Sequence, residues 1–208
     1  MAKEIAVGTE TDLGFAEARV PVGTHICQIF SDDEERDVAT LNFLRMGLLQ
    51  REKTACFSEK LNEDRLADFV GQQGLGLSEL KARGTYQQAA SKGVYFQGGI
   101  FDPERMLSLL TTFHAGSLAE GYPAARVIGE MDPAVRSMPG GNRLMEYEVR
   151  VSVLLRQHPV TAMCQYDARE FDGATILDVL RVHPLMVVRN MVVQNPFFLP
   201  PEQVLATC

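Results

Sequence analysis

The sequence predicts an α/β domain of three layers, a mainly parallel central sheet with helices on both faces, and three observations carry that prediction. Short, apolar, β-prone runs alternate along the chain with helical periodicities of ten or more residues, the crossover length that parallel neighbours require. The apolar residues of these runs are clustered, as in strands covered on both sides. No Pro-, Gly- or Ser-rich linker divides the chain and no internal repeat is visible, so residues 22–205 read as one domain preceded by an N-terminal arm, residues 1–21.

The elements follow in order. His25 to Phe30 (HICQIF) reads as a buried strand. Ser31 and Asp32 can cap the next helix, with Glu34 placed as in a capping box and Val38, Leu41, Leu44 and Leu48 at helical spacing. Thr54 to Ser58 is a second strand, Glu63 to Gln72 a helix, Leu77 to Ala82 a short helix, and Tyr86 to Ala90 a third strand. Lys92 to Phe101 mixes aromatics with three glycines and reads as an irregular loop. Asp102 caps and Pro103 opens a helix carrying Met106, Leu109, Leu110 and Phe113, closed by Gly121-Tyr122-Pro123. Ala125 to Met131 is a strand, and Gly140-Gly141 separates it from a helix carrying Leu144, Tyr147, Val151, Leu154 and Leu155. His158-Pro159 ends that helix before a central strand, Val160 to Tyr166. A helix near Thr175 to Arg181 and an apolar run, Leu185 to Val193, with a turn at Arg189-Asn190, complete the pattern.

Composition excludes several classes. With 208 residues, 46% hydrophobic and 23% charged, the chain is neither disordered nor a disulfide scaffold. Twenty basic against 27 acidic residues give a net charge of −7 and no run of five basic residues, which disfavours direct binding to nucleic acid. No apolar stretch is long enough to span a bilayer, and the first residues lack the hydrophobic segment of a signal peptide, so a cytoplasmic location without membrane contact is expected. Cys27, Cys56, Cys164 and Cys208 form no Cys-x-x-Cys pair, and the first three lie in apolar runs, where they read as small buried hydrophobes.

Familiar catalytic signatures are absent. Where a phosphate-binding loop would join the first strand to its helix, the chain reads SDDEERD, whose five acids complement the helix dipole themselves and repel a triphosphate. Gly71, Gly74 and Gly76 follow a helix and do not fit a dinucleotide fingerprint. What remains is a set of polar groups at strand ends: His25, Glu130, Asp132, Cys164, Tyr166, Asp167 and His183. Glu130 and Asp132 can project over the sheet edge toward a ligand, or serve as a loop start and helix cap. Cys164 and Tyr166 share strand parity and so one face. The histidines and cysteines match no local metal spacing, so neither metal nor cofactor is assigned. An enzymatic alternative uses Glu130 or His183 as acid/base with Cys164 as nucleophile; a second alternative is a pure interaction module whose tail, Asn195-Pro-Phe-Phe-Leu-Pro-Pro, either docks a partner or packs back on the domain.

Seven segments in succession resemble one family: HICQIF-SDDEE at 25–35, GGIFDPERM at 98–106, EGYPAARVIGEMDPA at 120–134, LMEYE at 144–148, PVTAMCQYDAREF at 159–171, VLRVHPLMVV at 179–188 and QNPFFLPPEQVL at 194–205. Together, over residues 22–205, the chain resembles the MEDS domain, the sensory domain of methanogens, methylotrophs and the dichloromethane-responsive repressor. The resemblance implies a RecA/KaiC-like core that has lost its phosphate loop, and a role in sensing small, hydrocarbon-derived ligands. It carries His25, Glu130, Cys164, Tyr166 and His183 as motif-borne positions of a sensing pocket; from the residues themselves, the aromatic, glycine-rich loop with Tyr95 and Phe96 is expected to close over that pocket. Relatives join DNA-binding or histidine-kinase modules. The residues before His25 are too few for a helix-turn-helix, so the signal is expected to pass to a protein partner such as a histidine kinase or transcription regulator, or through a homodimer.

Overall fold

The computed structural model describes residues 10–15 and 19–205; Cys208 and residues 1–9 and 16–18 of the arm lie outside the described residues. Strands β1 (Glu10–Asp12) and β2 (Arg19–Pro21) pair antiparallel as a small ribbon. Next come β3 (His25–Phe30), α1 (Asp33–Leu49), β4 (Lys53–Phe57), α2 (Glu63–Gly71), α3 (Leu77–Ala82), β5 (Tyr86–Ala89) and α4 (Ser91–Tyr95). The chain continues through α5 (Pro103–Ala119), β6 (Ala125–Glu130), α6 (Leu144–Leu155), β7 (Val160–Asp167), α7 (Gly173–Val182), β8 (Leu185–Val188), β9 (Met191–Gln194) and α8 (Pro201–Leu205). Among the described residues no helix is long and apolar enough to cross a membrane.

Seven strands form the main sheet in the order β5-β4-β6-β7-β3-β8-β9, parallel throughout except for the β8–β9 hairpin. Arg189 and Asn190, both at positive φ, make the two-residue turn of that hairpin, as their position in the sequence led one to expect. Strand alternation divides the core in two. Cys27, Ala55, Val127, Ala162 and Cys164 face α5, α6 and α7, while Ile26, Cys56, Ile128 and Met163 face α1, α2 and α3. Leu66 and Val70, one helical turn apart and fully buried, dock α2 on the second face at about 1.5–3 kcal/mol each.

Only Ser31 and Asp32 separate β3 from α1. The Asp32 carboxylate accepts the Glu35 N–H at 2.9 Å, so the helix N-terminus is capped by its own chain and no glycine-lined cradle is formed there. On the α1 face a buried ionic network fastens the ribbon to the sheet. The Arg126 guanidinium donates to Glu52, to the Phe43 carbonyl at 2.9 Å, to Thr11 Oγ1 at 2.9 Å and to the Asp12 carbonyl at 3.1 Å. Gly47 makes room for it, since a Cβ there would meet Arg126 Cδ at 2.5 Å.

Three regions differ from the sequence reading. The N-terminal arm is not a free polar segment: Leu13, Phe15 and Val20 are buried in the core on the α1 face. The stretch from Lys92 to Phe101 contains α4 and a 3-10 turn (Gln97–Gly99), and Tyr95 and Phe96 are core residues. The tail is divided: Asn195 is buried and donates to the Leu180 and His183 carbonyls and Phe198 is half-buried, whereas Phe197 stays 53% exposed.

Candidate functional site

Under the sheet, on the face covered by α6, five side chains of four chemical kinds converge. Cys27 lies opposite Cys164 in the parallel β3–β7 register, so His25, Cys164 and Tyr166 all point to this face. Helix α6 presents the stripe Leu144, Glu148, Val151 and Leu155, which places a carboxylate where the helical period calls for an apolar residue. His183, just past the end of α7, enters from the side, its ring centroid 4.0 Å from that of His25.

The Glu148 carboxylate is the centre of this group. One oxygen accepts the Tyr166 hydroxyl; the other stands 3.3 Å from His25 Nε2, 3.6 Å from His183 Nε2 and 3.6 Å from Cys164 Sγ. His25 Nε2 is also 3.3 Å from Cys164 Sγ. The outer ring nitrogens are fixed by other partners. His183 Nδ1 lies 2.8 Å from the Val179 carbonyl and therefore carries its proton toward it. Ser152 donates to the Val182 carbonyl at 3.0 Å, which leaves its oxygen to accept from His25 Nδ1 at 2.8 Å. His25, Glu148, Cys164, Tyr166 and His183 are buried and Ser152 is half-buried, and among the described residues His183 Nε2 has no hydrogen-bond partner.

Burial and charge act on them in opposite directions. Desolvation, reinforced by neighbouring His25, pushes His183 down to about 3, so its imidazole is neutral. Burial, then the Glu148 charge, raises the Cys164 thiol and the Tyr166 phenol well above their ordinary values. Burial would also raise Glu148, but the hydrogen bond and charge of His25, the proximity of His183 and the Tyr166 hydroxyl outweigh it and hold the carboxyl below its ordinary value. A histidine pair, a thiol and a carboxylate are a donor set suited to a borderline-soft metal ion.

An apolar cavity leads toward this group. Between α5 and the sheet lies an opening of about 290 Å³ lined by Phe57, Met106, Leu109, Leu110, Phe113 and Val127, with Lys53 and Glu120 at its rim. Four of these residues, Phe57, Met106, Leu110 and Val127, also line an inner space of about 20 Å³ that reaches Tyr95, Tyr147 and Cys164. The Tyr95 and Tyr147 phenols, both in the lining of the inner space, pair with each other. Tyr95 fits only because residue 129 is glycine; a Cβ there would lie 2.0 Å from its hydroxyl oxygen. A wider groove of about 440 Å³ between α1 and α2 opens on the other side of the sheet, away from this group.

Of the residues singled out from the sequence, His25, Cys164, Tyr166 and His183 are brought together, and Tyr95 stands beside them as a buried side chain. Glu130 and Asp132 are placed elsewhere. Glu130 lies opposite Gln165, one residue out of phase with Cys164 and Tyr166, and so faces α1, where it accepts from Ser58 and pairs with Lys60 at 3.2 Å. Asp132 caps the turn at Pro133–Ser137 through the Ala134 N–H and pairs with Lys92 at 3.3 Å. Sequence reasoning missed Glu148 and Ser152. The signal for Glu148 was its spacing, four residues from Leu144 and three from Val151 inside an apolar stripe.

The fold defines the class, a RecA/KaiC-like α/β architecture. The profile of the MEDS family, the methanogen/methylotroph, DcmR sensory domain, matches residues 24–184, and the chain belongs to that family. No curated protein matches. A KaiC-like protein of the hyperthermophilic archaeon Pyrococcus horikoshii OT3 is similar in structure, with a TM-score of 0.60 at 11% identity, covering 86% of this chain and 79% of that one. The flagellar accessory protein FlaH of Methanocaldococcus jannaschii is similar to the same degree, with a TM-score of 0.60 at 10% identity over 86% of this chain and 78% of its own. At such identities the likeness shows the fold alone.

Proposed function

We propose that this MEDS domain is a cytoplasmic sensor of a small, largely apolar, hydrocarbon-derived molecule, which binds in the cavity under α5 and signals through a protein partner such as a histidine kinase or transcription regulator. The observation that carries the reading is a shared apolar wall: Phe57, Met106, Leu110 and Val127 line both the outer opening and the inner space bounded by Tyr95, Tyr147 and Cys164. Apolar walls with a few convergent polar groups are the usual makeup of small-molecule sites. Binding shifts the domain between states only by its difference in affinity for them, and the partner reads that shift.

Two features support a binding role over catalysis. Cys164 is held as a thiol, the opposite of an activated nucleophile, and of the two acid/base candidates of the enzymatic alternative Glu130 faces away from it, while His183 stands within 4.8 Å of it. The capped, two-residue junction between β3 and α1 supports a core that does not hydrolyse nucleotides. The net charge of −7 favours a protein partner or a second copy of the chain over nucleic acid as the recipient of the signal.

Dichloromethane, benzene and 1-butanol serve as probes in a thermal-shift assay on the full chain. At least one is expected to raise the melting temperature in a concentration-dependent way, and Leu109→Trp, which fills the outer opening from a half-exposed position, should abolish the response. A wild-type protein indifferent to all three probes, or a response untouched by Leu109→Trp, sinks the cavity as the sensing site.

A further inference from the structure

We propose that His25, Glu148, Cys164 and His183 form a binding site for one divalent transition-metal ion of the zinc class. The inference stands on the side-chain group and is independent of whether the apolar cavity takes a ligand.

Geometry is the first support. Ligands placed tetrahedrally around zinc at about 2.0–2.3 Å stand roughly 3.3–3.8 Å from one another. Here the separations from His25 Nε2 to Cys164 Sγ and to Glu148 Oε2 are both 3.3 Å, and Glu148 Oε2 is 3.6 Å from both His183 Nε2 and Cys164 Sγ. All four donor atoms lie within 4.8 Å of one another. The 3.6 Å from His183 Nε2 to Glu148 is long for an N···O hydrogen bond, which prefers about 2.7–3.2 Å, so hydrogen bonding does not account for the place of His183 in the group.

The surrounding shell is the second support. Metal-ligating histidines commonly donate their other N–H to a carbonyl or hydroxyl that fixes the ring. His183 does so to the Val179 carbonyl and His25 to Ser152, whose own proton goes to the Val182 carbonyl. The Nε2 atoms of both rings are thereby turned inward, and among the described residues the buried His183 Nε2 has no hydrogen-bond partner. Tyr166 holds the remaining Glu148 oxygen. One carboxylate and one thiolate would balance a dication, and the histidine–thiolate content selects zinc or cobalt over magnesium or calcium. On binding, the Cys164 proton passes to solvent and an S–metal bond forms; no redox change is involved.

The full chain, stripped with a chelator, is titrated with Co²⁺. One equivalent should produce the visible ligand-field bands of tetrahedral cobalt together with a thiolate-to-cobalt charge-transfer band, and Zn²⁺ should displace it. Cys164→Ser should remove the charge-transfer band and weaken zinc binding at least about 100-fold, Cys27→Ser and Cys56→Ser should not, and Ser152→Ala should weaken it about 10- to 100-fold through loss of ring orientation. X-ray absorption of zinc-loaded wild-type protein, which needs no variant to fold, should report one sulfur and three nitrogen or oxygen neighbours. A wild-type chain without cobalt bands, a zinc shell without sulfur, or a charge-transfer band that survives in folded Cys164→Ser would overturn the site.

Discussion

Two buried ionic networks occupy opposite faces of one sheet, and they obey different rules. On the α1 face each of the three Arg126 nitrogens has an acceptor, Glu52 also accepts from Thr11 at 2.8 Å, and the guanidinium lies over the Phe43 ring. On the α6 face Glu148 meets two imidazoles and a thiol at 3.3–3.6 Å, and His183 Nε2 has no hydrogen-bond partner among the described residues. Saturation is what a structural clamp needs, because any orphaned buried charge is costly. A convergent set of lone pairs kept short of saturation is what a binding centre needs. Burial alone distinguishes neither from the other; the distribution of partners does.

Substitutions can break or sharpen that contrast. The largest effect is expected from Arg126→Met, which strands Glu52 and lowers the unfolding free energy by about 3–5 kcal/mol in urea titrations. Gly129→Ala presses on the α6 face only, against the Tyr95 hydroxyl, and should cost about 1–3 kcal/mol, with Tyr95→Phe in the same background recovering part of it. Glu148→Gln in chelator-treated protein should cost less than about 1.5 kcal/mol, since the amide oxygen still accepts from Tyr166. Equal losses for Arg126→Met and Glu148→Gln would erase the distinction between clamp and centre.

The smallest effect concerns neither network but the rim at the strand ends. There the hydrogen bond from Arg169, against a smaller opposing effect of burial, holds the Asp167 carboxyl at about 2, below its ordinary 3.8. A carboxyl lowered on folding stabilises the folded state above the unfolded value and loses that contribution as pH falls toward the folded one. Stability should therefore decline between about pH 5 and 2, and Asp167→Asn should flatten that limb of the curve followed by circular dichroism.

The layered fold was legible because strands from His25 to Val193 are strongly apolar and their connecting helices carry capping residues such as Asp32 and Asp102, both of which do cap. The ribbon at Glu10–Pro21 was not, since strands of three residues carry no period and their hold on the sheet comes from Arg126, more than a hundred residues later. Gly93, Gly98 and Gly99 hid α4 and its buried aromatics behind loop-like composition. For the site, proximity to a strand end did not distinguish the two faces; parity did, and it separates Glu130 from Cys164 and Tyr166. Glu148 announced itself only as a misfit within an apolar helical stripe.

The position of β3 bears on how the chain leaves the ribosome. This strand is the first of the main sheet to be synthesised, yet its neighbours on either side are β7 and β8, which end at Asp167 and Val188. At translation rates of about 5–20 residues per second, His25–Phe30 waits roughly seven to thirty seconds for its partners. During that interval its apolar edges are open to a nascent chain's hazards, self-association and chaperone capture, and the sheet closes only when the last third of the polypeptide has emerged.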